Sequence, residues 1–176
     1  MKLRRLAITL IRAVVVCLFI FQAVFAQRPP NNTGAKLSEP VSVRTDLYPA
    51  DADAKSEIAE ALKRATAERK RVLLIFGANW CYDCHVLDQA LHDGEAGKIV
   101  SQDFLLVHVD IGEGEKNPDL VKTYKIPLDK GVPAVSILES NGRLLYSSGD
   151  GEFEAARRML KKDLVQFLNK WKRLRS

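Results

Sequence analysis

The run Val72-Leu73-Leu74-Ile75-Phe76 is unbroken in its apolarity, is ended by Gly77-Ala78-Asn79, and is followed at once by Trp80-Cys81-Tyr82-Asp83-Cys84. A short apolar run closed by breakers predicts a strand covered on both faces, and therefore a sheet with helices on either side. Cys84, Leu87 and Leu91 then recur at helical spacing, which predicts a helix over about 82–92. A reactive group between the end of a strand and the start of a helix sits where open α/β sheets place their sites.

The remaining elements are read in the same way. Asp51 and Asp53 can cap a helix carrying Ile58, Leu62 and Ala65. Residues 104–109 predict a second strand and Pro118 to Tyr124 a short helix. Residues 134–138 and 144–146 flank Ser140-Asn141-Gly142, a hairpin signal. Phe153, Ala156, Leu160, Leu164, Phe167, Leu168 and Trp171 predict one last helix from about Glu152 to Lys172. The expected fold is α/β, a central mixed sheet flanked by helices, with crossovers joining the first three strands and the hairpin adding an antiparallel edge.

At the N-terminus, Lys2, Arg4, Arg5 and Arg12 precede an uncharged apolar run from Ala13 to Phe25 and then Ala26-Gln27. Basic, apolar and small-residue regions in that order predict a secretory signal peptide over 1–26, with an uncleaved anchor as the alternative. Residues 27–47, with Arg28-Pro29-Pro30-Asn31-Asn32-Thr33-Gly34, are expected to be a flexible linker, and 48–176 the folded domain. The 176 residues hold 27 basic and 22 acidic side chains. Four of the basic ones belong to the signal, so the mature balance is 23 to 22 and no nucleic-acid partner is expected. The expected compartment is the periplasm or the exterior, with membrane contact only through an uncleaved signal.

Removing 1–26 also removes Cys17 and leaves Cys81 and Cys84 as the only cysteines. Two cysteines separated by two residues close too small a loop to stabilise much by chain entropy, so their value is chemical. A thiolate attacks disulfides, and the unpaired N–H groups and dipole at a helix N-terminus favour one at Cys81. Cys81 is therefore expected to be the nucleophile and Cys84 the resolving thiol.

Trp80-Cys81-Tyr82-Asp83-Cys84 after an apolar strand, with Gly131-Val132-Pro133-Ala134 opening a later one, resembles the thioredoxin family over roughly residues 54–172. Within it the chain is most similar to exported bacterial thioredoxin-like proteins, by residues 76–81 and 125–133. The resemblance implies a thioredoxin fold and a protein thiol–disulfide oxidoreductase with no cofactor. Its partners would be protein thiols and disulfides and an upstream redox protein. It also implies a cis Pro133 facing the dithiol and a Val132 backbone that pairs with the substrate strand. Trp80 is expected to shield the dithiol and contact substrate, with local packing as the alternative, and Tyr82 is expected to be exposed between the cysteines and to touch the partner.

Three departures from that pattern carry expectations. Asp83 places a carboxylate beside Cys81, which should disfavour the thiolate and tilt the couple toward reductant. The buried acid and lysine of many members align with Ile75 and His108, which makes His108 the candidate base for Cys84. The stretch before Pro133 is longer than in small thioredoxins.

Other chemistries use this spacing too. Cys81-Tyr82-Asp83-Cys84-His85 satisfies the c-type haem attachment pattern, although a second axial ligand is not obvious, since Met159 is expected in the last helix. Zinc would need a further ligand pair beyond His85 or His92. A client-binding module with an incidental dithiol is the non-enzymatic alternative. His85 could stabilise the thiolate or be solvated, and the basic C-terminal residues read as a solvated helix face.

Overall fold

The structure, a computed structural model, describes residues 34–37 and 43–173; the expected signal segment lies outside them. Asp53 accepts from the backbone N–H groups of Lys55 and Ser56 and starts helix α1, Ala54–Glu68. Asp51 takes no part in that cap. Strand β1 follows at Arg71–Gly77, helix α2 at Tyr82–His92 and helix α3 at Gly94–Asp103. Strand β2 is Phe104–Asp110, helix α4 Pro118–Thr123, strand β3 Ala134–Leu138, strand β4 Leu144–Ser147 and helix α5 Lys161–Trp171. Helix α3 was not expected from the sequence: two glycines in ten residues hide its short apolar face of Ala96, Ile99 and Val100.

The strands form one mixed sheet in the order β2-β1-β3-β4. With β1 inside the sheet, its residues alternate between two cores. Leu73 and Ile75 pack with α2, α3 and α5 through Leu87, Leu91, Ile99, Leu164 and Leu168. Val72, Leu74 and Phe76 pack with α1 and α4 through Ile58, Ala65 and Leu120. This is the two-faced burial predicted for the apolar run. The hairpin also forms as expected, with Gly142 at φ 85° in its turn and the Asn141 side chain accepting from the Arg143 N–H.

The connectivity corrects one expectation. β1 and β2 are parallel, but β3 runs antiparallel to β1. The reason is visible in the register. β2 leaves the sheet at Asp110, opposite Gly77, and β3 enters beside Phe76, so the chain from 111 to 133 stays at one end of the sheet. No crossover returns it to the other end, and that loop is thereby held next to the turn that follows β1.

The last helix is also shorter than its periodicity predicts. Ala156–Arg158 form a 3₁₀ turn, Met159 and Leu160 are extended, and only Lys161–Trp171 is α-helical. A tertiary contact wins over the helical pattern here. The Leu37 N–H donates to the Met159 carbonyl at 2.9 Å, and the Lys161 N–H donates to the Ala35 carbonyl at 2.8 Å. Phe153 and Ala156 reach the same core from outside the helix.

That contact also bears on the expected linker. Leu37 is buried in the core with Phe153 and Leu164, and Leu47 is buried beside the dithiol, so the packed domain reaches back into residues assigned to 27–47. A Leu37→Ala substitution is expected to lower unfolding stability by about 2–5 kcal/mol with an unchanged denaturant slope, as for a buried leucine. A freely flexible linker would give no change in the urea midpoint.

Candidate active site

The site begins where β1 ends. After Gly77, the Cys81 N–H donates to the Ala78 carbonyl at 3.1 Å, turning the chain into α2. Cys81 is the N-cap of that helix, and its sulfur accepts from the Cys84 N–H at 3.1 Å. Cys81 and Cys84 are joined as a disulfide. Cys84 is fully buried and Cys81 nearly so, with its sulfur at the helix start.

The loop from 111 to 133 supplies the opposite wall. The Val132–Pro133 peptide bond is cis. The Val132 carbonyl oxygen lies 3.5 Å from the Cys81 sulfur, a contact rather than a hydrogen bond because the disulfide sulfur carries no proton. Val132 sits just before the point where the β3 ladder begins at Ala134, so its backbone polar groups lie outside that ladder. Trp80 is 56% exposed, with its indole N–H donating to the Gly112 carbonyl, and forms an apolar surface at the rim.

Asp83 is not the free carboxylate that the sequence suggests. It is buried, and its Oδ1 accepts from the Arg157 backbone N–H at 2.8 Å while its Oδ2 lies 2.9 Å from the Arg157 guanidinium. The same guanidinium stands 5.5 Å over the Tyr82 ring, which is half-buried rather than free between the cysteines. The 3₁₀ turn at 156–158 thus clamps the dithiol loop and offsets its negative charge. Arg157, 74 residues away in sequence, carried no local signal that could have marked it.

His85 is not the solvated helix residue that was the alternative for it: it is 3% exposed, and its Nε2–H donates to the Asn79 carbonyl at 2.8 Å. Met159 is outside the last helix, its carbonyl engaged by Leu37.

His108 pairs with Asp88: its Nε2 is 3.0 Å from Asp88 Oδ1, an ion-pair approach rather than an aligned hydrogen bond. His92 and Arg44 approach the same carboxylate at 3.4 and 4.0 Å. Burial works to raise the Asp88 carboxyl, but His108 above all, with His92 and Arg44, holds it below its ordinary value. The His108 ring stands edge-on to Tyr48, with ring centroids 5.3 Å apart, and it is Tyr48 that packs with Cys81 and Cys84.

Tyr48 is the residue that sequence reasoning passed over, marking it only as the start of the domain. Asn79, two residues before Cys81, holds it in place. The Tyr48 N–H donates to Asn79 Oδ1 at 2.9 Å, and the Asn79 amide donates to the Tyr48 carbonyl at 2.8 Å. An asparagine that pairs a backbone N–H and C=O in this way leaves only its identity as a sequence trace.

The sequence profile of the thioredoxin-like family matches residues 53–140. Among solved structures, the disulphide isomerase from Xylella fastidiosa Temecula1 is 32% identical to this chain, with 74% of this chain and 98% of that one covered and a TM-score of 0.67. The oxidised C-terminal domain of DsbD from Neisseria meningitidis has a TM-score of 0.50 at 18% identity, covering 68% of this chain and 96% of its own, a likeness of fold. Spermatogenesis-associated protein 20 of Homo sapiens is 35% identical over 66 residues, which are 37% of this chain and 8% of that protein. The chain therefore spans only a small part of that relative's length.

The clamp on Asp83 has a measurable consequence. In the reduced protein, Arg157→Ala is expected to raise the Cys81 thiol pKa, read from the pH dependence of its alkylation, because a buried carboxylate loses its counter-charge. Asp83→Asn should lower it. Identical alkylation profiles in all three proteins would mean that the pair does not reach the sulfur.

Proposed function

Since the chain belongs to the thioredoxin-like family, we propose that it is an exported enzyme that exchanges disulfides with other exported proteins through Cys81 and Cys84. It is a thiol–disulfide oxidoreductase. One observation carries the reading: a bonded cysteine pair at a helix N-cap, with the attacking sulfur against the Val132 carbonyl of the Val132–Pro133 loop.

In the reducing direction, the Cys81 thiolate attacks a substrate disulfide, and one substrate sulfur leaves with the electron pair of the broken bond. Cys84 then attacks Cys81 in the mixed disulfide, the Cys81–Cys84 bond forms, and the second substrate sulfur is released. The substrate strand lies along Val132, whose backbone groups are outside the β3 ladder, with Pro133 shaping the wall and Trp80 and Tyr82 contacting the partner. His108, held by Asp88, is assigned as the base of the pocket, one side chain removed from the sulfur because Tyr48 stands against it.

The reducing direction rests on the surroundings of Cys81. Its sulfur has one backbone N–H donor and faces a carbonyl oxygen, while His85 is turned to Asn79 and Arg157 to Asp83. A thiolate with so little cationic support is a strong nucleophile and a poor resting state, which favours reductant over oxidant. Export, to periplasm or exterior, is read from the basic and apolar order of residues 2–26. An upstream redox protein that restores the dithiol belongs to the same reading.

A Cys84→Ala chain is expected to retain covalently attached proteins that dithiothreitol releases, and Cys81→Ser to retain none. Client binding that survives Cys81→Ser without covalent capture would favour the non-catalytic module instead.

A further inference from the structure

Cys84 has a problem that its neighbours make plain. The sulfur is fully buried, among Leu47, Tyr48, Cys81 and Val132, and burial in apolar surroundings works against the thiolate that resolution requires.

We infer that the Tyr48 hydroxyl is the hydrogen-bond donor that stabilises Cys84 as a thiolate when it resolves the mixed disulfide. The inference rests on the disulfide-exchange reading and assigns a new role within it.

Three observations converge on it. First, Tyr48 is 1% exposed and its hydroxyl is a buried polar atom with no hydrogen-bond partner among the described residues, a costly arrangement that calls for a partner in another state of the protein. Second, the hydroxyl and the sulfur meet at one place. A Cβ built on Gly77 would lie 2.4 Å from the Tyr48 hydroxyl and 2.6 Å from the Cys84 sulfur, so both groups fill the space that a side chain at 77 would take. Third, the ring is held from two sides, by the paired Asn79 hydrogen bonds to its backbone and by the edge of His108.

The chemistry fits the redox cycle. In the disulfide, the Cys84 sulfur is a weak acceptor and the hydroxyl stands unpaired. In the mixed disulfide with substrate, Cys84 is a thiol, and on losing its proton it becomes a strong acceptor beside a fixed donor. Burial, with the negative charges of Asp88 and Asp110, pushes the Tyr48 phenol well above its ordinary range, so it keeps its proton and serves as donor only. His108, Asp88 and Asp110 are the titratable groups around it. In the step itself the Cys84 sulfur is oxidised, the Cys81–substrate bond breaks, and the substrate sulfur takes the electron pair. The proton given up by Cys84 ends on that released sulfur.

The test is a two-phase reaction of the reduced full chain with an aromatic disulfide reagent whose thiolate is coloured on release. The first equivalent reports attack by Cys81 and the second reports resolution by Cys84. Tyr48→Phe is expected to leave the first phase intact, to slow the second about tenfold near neutral pH and to move its pH midpoint up by about one unit, with the rates meeting at high pH. In the wild type, the NMR shift of the Tyr48 ring carbon bearing the hydroxyl should titrate as Cys84 ionises in the reduced protein, a readout that requires no variant. A second phase with unchanged rate and midpoint in Tyr48→Phe overturns the inference and leaves the exchange reading standing, as does a Tyr48 shift that does not titrate. A wild-type protein that releases no second equivalent overturns both.

Discussion

Everything at the site depends on how β1 ends. Gly77 has no side chain, and the volume it leaves empty is where the Tyr48 hydroxyl and the Cys84 sulfur approach each other. Any larger residue would force one of them aside, since a Cβ there meets both within the distance of a clash. The same strand end lies opposite Asp110 of β2 and beside the start of β3. Because β3 runs antiparallel to β1, the loop that precedes it arrives at the turn that follows β1, and Val132 comes against Cys81 without any element dedicated to bringing it there.

The charges around the dithiol are arranged to cancel rather than to activate. Asp83 meets Arg157, Asp88 meets His108, His92 and Arg44, and Asp110 meets Lys116. What remains at Cys81 is the helix N-terminus and one backbone N–H, a modest stabilisation of a thiolate. Because Arg157 offsets Asp83, the proposed reducing direction rests on this sparse environment and not on a repelling carboxylate. The clamp does mechanical work as well, since it ties the dithiol loop to the turn at 156–158 and so to the core through Phe153 and Ala156.

What was legible in the sequence is what local physics decides. The apolar run of β1, the start of α2 at Tyr82 and the turn at Gly142 each follow from a handful of adjacent residues, and each is found where expected. Long-range pairing decided the rest. The helical period from Phe153 to Trp171 is genuine as a burial pattern, yet Ala35 and Leu37 claim the backbone of residues 159–161 and break the helix. The direction of β3 depends on which end of the sheet the segment 111–133 occupies, a fact without local trace. At the site, both cysteines and Pro133 could be read from spacing and resemblance. Tyr48, Asn79 and Arg157 could not, because their roles exist only once distant segments meet.

The central claim is that Cys81 and Cys84 form a reversible couple poised toward reduction. Equilibrating the full chain with mixtures of reduced and oxidised dithiothreitol or glutathione, and counting free thiols by mass after alkylation, measures it directly. The account predicts one two-electron transition with a potential nearer to that of thioredoxin, about −270 mV, than to that of the strong oxidants of this fold, about −120 mV. A pair that does not titrate reversibly, or a potential at the oxidant end, would contradict it.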